Sequence, residues 1–69
     1  SVAAAETGAR RVFFGEWVET PLYARDRLPL DFELKGPAIL EQMDTTVLIE
    51  PGDRARGDAI GNVIVEVGP

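Results

Sequence analysis

The chain has 69 residues with no cysteine and no histidine, so the disulfides and metal sites that often staple domains of this size are missing in their usual form. Its net charge of −5, from 12 acidic and 7 basic residues, argues against nucleic-acid or polybasic membrane-surface binding. No apolar run approaches the roughly 20 residues of a membrane span.

A chain this short buries only about 60% of its unfolded surface. It therefore reads as one domain with a thin core, or as a piece that packs against something larger. Val2 to Ala5 is too short, and lacks the basic flank, for a secretory leader. The absence of cysteine agrees with a cytoplasmic setting. A start at Ser1 rather than at methionine suggests a fragment excised from a longer protein. The expected division is a linker or appended remnant over residues 1–10, then a single small β domain over 11–69.

In chain order, Ser1 to Ala9 is small and polar, with Thr7-Gly8 as a breaker, and reads as a leading arm. Arg11 to Phe14, the pair Gly15-Glu16, and Trp17 to Thr20 predict a β-hairpin with a two-residue turn. Thr20-Pro21 is expected to end its second strand, because proline cannot donate to a ladder. Leu22-Tyr23-Ala24 is short and extended. Asp26 is positioned to cap one helical turn through Leu28, which Pro29 would stop.

No other segment has a helical apolar period, and the remainder alternates strand with turn. Asp31 to Lys35 directs Phe32 and Leu34 one way. Gly36-Pro37 breaks the pattern, and Ala38 to Glu41 follows. Thr46 to Glu50 is closed by the turn Pro51-Gly52-Asp53. Arg54 to Arg56 is brief, Gly61-Asn62 marks another turn, and Val63 to Val67 closes the chain. This pattern predicts an all-β fold, a small barrel or sandwich of six to seven short strands with at most one short helical turn. The expected core is Phe14, Trp17, Leu34, Ile39, Val47, Ile49, Val63 and Val65.

The sequence supplies no catalytic set of its own. Ser1 is the only serine, and no imidazole or thiol accompanies it. Glu41, Asp44 and Asp58 have oxygens suited to a hard cation, but their spacing fits no calcium loop and surface charge is the simpler reading. Gly57 to Asn62 has two glycines without the lysine and helix of a phosphate loop. Arg10-Arg11 offers an anion contact, but a solvated strand edge is the simpler reading. Lys35 lacks the flanking methionines of a carrier lysine and reads as an edge-strand charge. Phe13 and Phe14 are adjacent, so one of them must face outward, as at a contact with a missing partner.

The corner Glu41, Gln42, Asp44, Thr45 and Thr46 stands apart. Asp44 can build a local turn by accepting from the Thr45 and Thr46 amides. Glu41 and Gln42 have no such explanation.

Three segments together resemble the C-terminal end of the hydantoinase A/5-oxoprolinase family, which includes ATP-dependent N-methylhydantoinases and related acetone- and acetophenone-type carboxylase subunits. They are Arg11-Val12-Phe13-Phe14 through Tyr23 with Arg25 and Leu28; Gly36 to Gln42 with Asp44-Thr45-Thr46; and Pro51-Gly52, Asp58 and Gly61-Asn62 before a terminal apolar strand. The chain departs from the pattern at Glu50, Asp53 and Ile60, positions that bear on the subfamily. The resemblance implies a non-catalytic C-terminal domain of an enzyme that couples ATP hydrolysis to amide-ring opening or carbonyl activation. ATP and a divalent metal would then belong to the full-length enzyme and not to this fragment. Its partner would be the N-terminal catalytic domains of the same chain, with a hydantoinase B-type subunit as a second. Glu41 to Thr46 would face those domains or their cleft. The alternative is an independent β-barrel module that binds a protein or peptide.

Overall fold

The structure, a computed structural model, describes residues 2–68. Seven strands form two sheets: β1 (Glu6–Phe13), β2 (Trp17–Ala24), β3 (Glu33–Lys35), β4 (Ala38–Gln42), β5 (Thr45–Ile49), β6 (Arg54–Gly57) and β7 (Val63–Glu66). One sheet has the order β1-β2-β4-β5 and the other β3-β6-β7. The all-β reading holds as a small sandwich. The sheets do not close into a barrel.

All neighbouring strands are antiparallel except β2 and β4, which run parallel with Leu22 opposite Ile39 and Ala24 opposite Glu41. The crossover between them carries β3 into the second sheet. It begins with a 3-10 turn at Arg25–Arg27. A second 3-10 turn, Ala3–Ala5, precedes β1, where no helical turn was expected. The turn at Arg25–Arg27 has no side-chain cap, so Asp26 lies within it and does not cap it.

The hairpin runs further than its sequence suggested. β1 starts at Glu6 and pairs with β2 as far as Tyr23, so residues 6–10 are ladder and not arm. Pro21 stays inside β2, opposite Ala9. β4 begins to pair only at Leu22, so the proline precedes the stretch that must serve two neighbours at once.

The core joins the two sheets: Ala38, Leu40 and Ile49 from the first meet Leu34 and Ala55 from the second and Phe32 from the crossover just before β3, with Ala5 and Leu28 also in the cluster. Val47, Val63 and Tyr23 pack at its margin. Leu34, Ile39 and Ile49 are buried as expected. Trp17 and Val65 are not. Val65 lies on the edge strand β7, opposite Ala55 of β6. Trp17 sits at the far end of the hairpin, about 20 Å along β2 from Tyr23 at 3.3 Å per residue. Phe14 is half-buried, and Phe32 takes the central place instead.

Candidate functional site

The corner is the β4–β5 hairpin. Glu41 pairs with Thr46 and Gln42 with Thr45, which leaves Met43 and Asp44 as a two-residue loop. Met43 takes a positive φ of 41° and is fully exposed. Asp44 makes no side-chain hydrogen bond to the Thr45 or Thr46 amides, so the expected Asx-type turn does not form. Cross-strand pairing already closes the loop.

Strand alternation separates the five side chains. Gln42 and Thr45 continue the face of Leu40 and Val47, which leads into the core. Glu41 and Thr46 lie on the opposite face with Ile39 and Leu48. All five are exposed. They share a hairpin tip and do not converge on one point.

What the tip does form is one wall of a groove. Arg25 and Asp26 of the 3-10 turn face Glu41, Gln42 and Met43 across a space of 390 Å³. Arg25 is held from behind: its guanidinium lies 5.0 Å above the Phe32 ring, and Nη2 donates to the Gly61 carbonyl at 3.5 Å. The groove thus offers a positioned cation, two carboxylates, an amide and a thioether. Sequence reasoning placed Arg25 only within a motif. Its approach to the corner depends on the parallel β2–β4 pairing, which no local pattern announces.

Asp58 serves its own loop. Its carboxylate accepts from the Ile60 amide at 3.1 Å and the Asn62 amide at 2.9 Å, and from the Asn62 side chain at 3.2 Å. Gly61, at φ 88°, closes the turn by donating to the Asp58 carbonyl. The Asn62 amide, with smaller help from its side chain, the Ile60 amide and Arg56, holds the Asp58 carboxyl below the usual aspartate range. A depressed folded value stabilises the loop at pH above the ordinary aspartate value of about 3.9, and this is lost as pH falls through the folded value. The Asn62 amide should therefore keep its exchange protection at pH 5 and lose it in more acid solution. Asp58→Asn should remove that pH dependence. A carboxyl titration by NMR at or above the ordinary value would contradict this.

Among the described residues no group of three or more His, Cys, Asp or Glu is placed to hold a metal ion. Lys35 is exposed on the edge strand β3, opposite Arg54. No helix among the described residues is long and apolar enough to cross a membrane.

The profile of the hydantoinase/oxoprolinase C-terminal domain matches residues 1–63. The chain belongs to this family. It is 38% identical over 60 residues to 5-oxoprolinase 1 of Arabidopsis thaliana, covering 86% of this chain and 5% of that protein. It is 33% identical over 61 residues to caprolactamase subunit alpha of Pseudomonas jessenii, covering 84% of this chain and 9% of the subunit. With the acetophenone carboxylase gamma subunit of Aromatoleum aromaticum it shares 34% over 67 residues, covering 93% of this chain and 9% of the subunit. The chain thus spans less than a tenth of the length of these relatives. Within this C-terminal domain, the segment from Gly36 to Thr46 includes both the core strand β4 and the exposed hairpin tip.

Proposed function

We propose that the chain is a non-catalytic domain of an ATP-dependent enzyme that opens cyclic amides, packed on the catalytic body of the same polypeptide. The observation that carries this is the family match over nearly the whole chain, combined with relatives in which the same stretch is under a tenth of the protein. Two of those relatives have names that denote cyclic amides, 5-oxoproline and caprolactam, which favours that substrate class over ketone carboxylation. ATP and a divalent ion would be held by the body, and a hydantoinase B-type subunit would complete the assembly in the cytoplasm.

In this reading the corner's exposed polar groups meet partners on the body. Glu41→Ala and Gln42→Ala should leave the melting temperature of the isolated domain unchanged and depress activity in the full-length enzyme. The fall should be about tenfold or more, as expected when polar groups at an interface lose partners at about 1–3 kcal/mol each. Unchanged activity in both variants would reduce the corner to local architecture. Turnover of 5-oxoproline or a hydantoin by the isolated domain, persisting through purification, would overturn the non-catalytic reading.

A further inference from the structure

The β1–β2 hairpin carries the other exposed feature of the fold. Phe13 and Trp17 pair across the ladder, with ring centroids 5.4 Å apart in an edge-to-face arrangement. Phe13 is 60% exposed and Trp17 62%. The Arg11 guanidinium lies 5.7 Å from the indole centroid, beside a recess of 190 Å³ lined by Arg11 and Trp17. Arg11 pairs with Glu19 in register but forms no ion pair with it, and the ion pair among the described residues is Arg56–Glu66. The cation therefore has its hydrogen-bonding fork free.

The position of this group matters more than its composition. By strand alternation, Trp17, Glu19, Pro21 and Tyr23 lie on one face of β2. Tyr23 is opposite Leu40, and both belong to the core side of the sheet. The face that β3, β6 and β7 cover at the Tyr23 end thus continues past their edge and emerges bare at Phe13 and Trp17. β1 is also the edge of its sheet, with one side of its backbone unpaired. Of the other exposed apolar side chains, Leu30, Met43, Ile60 and Val67 lie outside the strands, and Leu48 and Val65 stand on the edge strands β5 and β7 with no exposed aromatic beside them; single apolar side chains of this kind are ordinary for a protein surface. A contiguous aromatic pair flanked by arginine has the composition of an interface anchor.

We infer that this face is the seat on which the rest of the same polypeptide docks: Phe13 and Trp17 enter an apolar recess, and Arg11 takes a carboxylate at its rim. The inference rests on the proposed packing of the domain on a larger body and names the surface that does it. Its size selects the occupant. A free partner needs an interface of about 1,000 Å² or more, whereas two partly exposed rings supply a few hundred. A segment tethered in the same chain acts at an effective concentration in the millimolar range, so a small anchor suffices. In the relatives more than nine-tenths of the protein lies outside the matched stretch and is available as that segment.

The test uses the full-length protein with the photoreactive aromatic p-benzoylphenylalanine at Trp17, and separately at Glu41 as a reference. Light should link the Trp17 probe to a peptide outside these 69 residues without raising the chain's mass on a denaturing gel. A link to a second copy or to another subunit would overturn the inference. So would no link at Trp17 when the Glu41 probe links to the body, an outcome that leaves the packing itself intact. Silence at both positions would overturn the packing too. Independently, the double variant Phe13→Ala with Trp17→Ala should be cleaved from the full-length protein by a protease at least fivefold faster than wild type. An unchanged cleavage rate would also overturn the inference.

Discussion

Phe32→Ala should lower the unfolding free energy of the domain by about 3–5 kcal/mol, the usual loss for a buried phenylalanine. The ring is 1% exposed and belongs to the cluster that joins the two sheets. Two further supports meet it. The Phe32 carbonyl accepts from Gly57 at 3.0 Å, which ties the crossover to β6, and Arg25 stacks 5.0 Å from the ring. A 69-residue chain has a total stability of about 3–10 kcal/mol at 0.05–0.15 kcal/mol per residue. The variant should thus lose about a third or more of that stability. Denaturant titration will show this as a lower midpoint at unchanged slope. Phe32→Leu should recover most of the loss. A change below about 1 kcal/mol on Phe32→Ala would mean that the sheets do not depend on this ring.

Phe32 also shows where the sequence was readable. Its alternation with Leu34 placed both on one face, yet the expected core held only Leu34, and the structure buries both. β-branched runs and glycine turns likewise marked β5, β7 and the hairpin, because each signal is confined to a few neighbouring residues. Trp17 was misplaced because an indole is core by default. Its exposure depends on where the second sheet ends, which is set by the lengths of β3 and β7 and not by anything near Trp17. Residues 6–10 looked like an arm for a related reason: Glu6-Thr7-Gly8 has poor strand propensity, and the ladder with β2 overrides it.

The same division runs through the candidate site. That Glu41 to Thr46 would form a tight polar corner was legible from composition. Asp44 was assigned the wrong mechanism, since the ladder pairs Gln42–Thr45 and Glu41–Thr46 fix the loop without a side-chain bond. The facing residue Arg25 was out of reach because the parallel pairing of β2 with β4 is a long-range choice. Much of the family string is explained by packing: Ala38 and Leu40 are fully buried. The residues left without a structural reason, Glu41 and Gln42, are those that the proposed packing would use.

Gly36→Ala should cost about 3 kcal/mol or more, at the upper end for inserting a methyl group into a packed site. A Cβ at this position would run into the carbonyl group of Glu50, with the Ile49 carbonyl next to it. These are backbone atoms, so no side chain can swing aside to make room. The collision would also disturb a chain of bonds: Gly36 donates to the Asp53 carbonyl at 2.9 Å, Asp53 donates to the Glu50 carbonyl at 3.0 Å, and the Asp53 carboxylate accepts from Gly68 at 2.8 Å. Those contacts fasten the Pro51-Gly52-Asp53 turn between the start of β4 and the end of the chain. They also give Asp53 a structural task. Gly15→Ala provides the contrast. Gly15 has a positive φ of 88° but nothing near its Cβ position, so alanine there should cost only the conformational strain of about 1–2 kcal/mol. Equal losses for the two variants in denaturant unfolding would mean that Gly36 matters for its flexibility and not for the close approach of β4 to the Glu50 carbonyl.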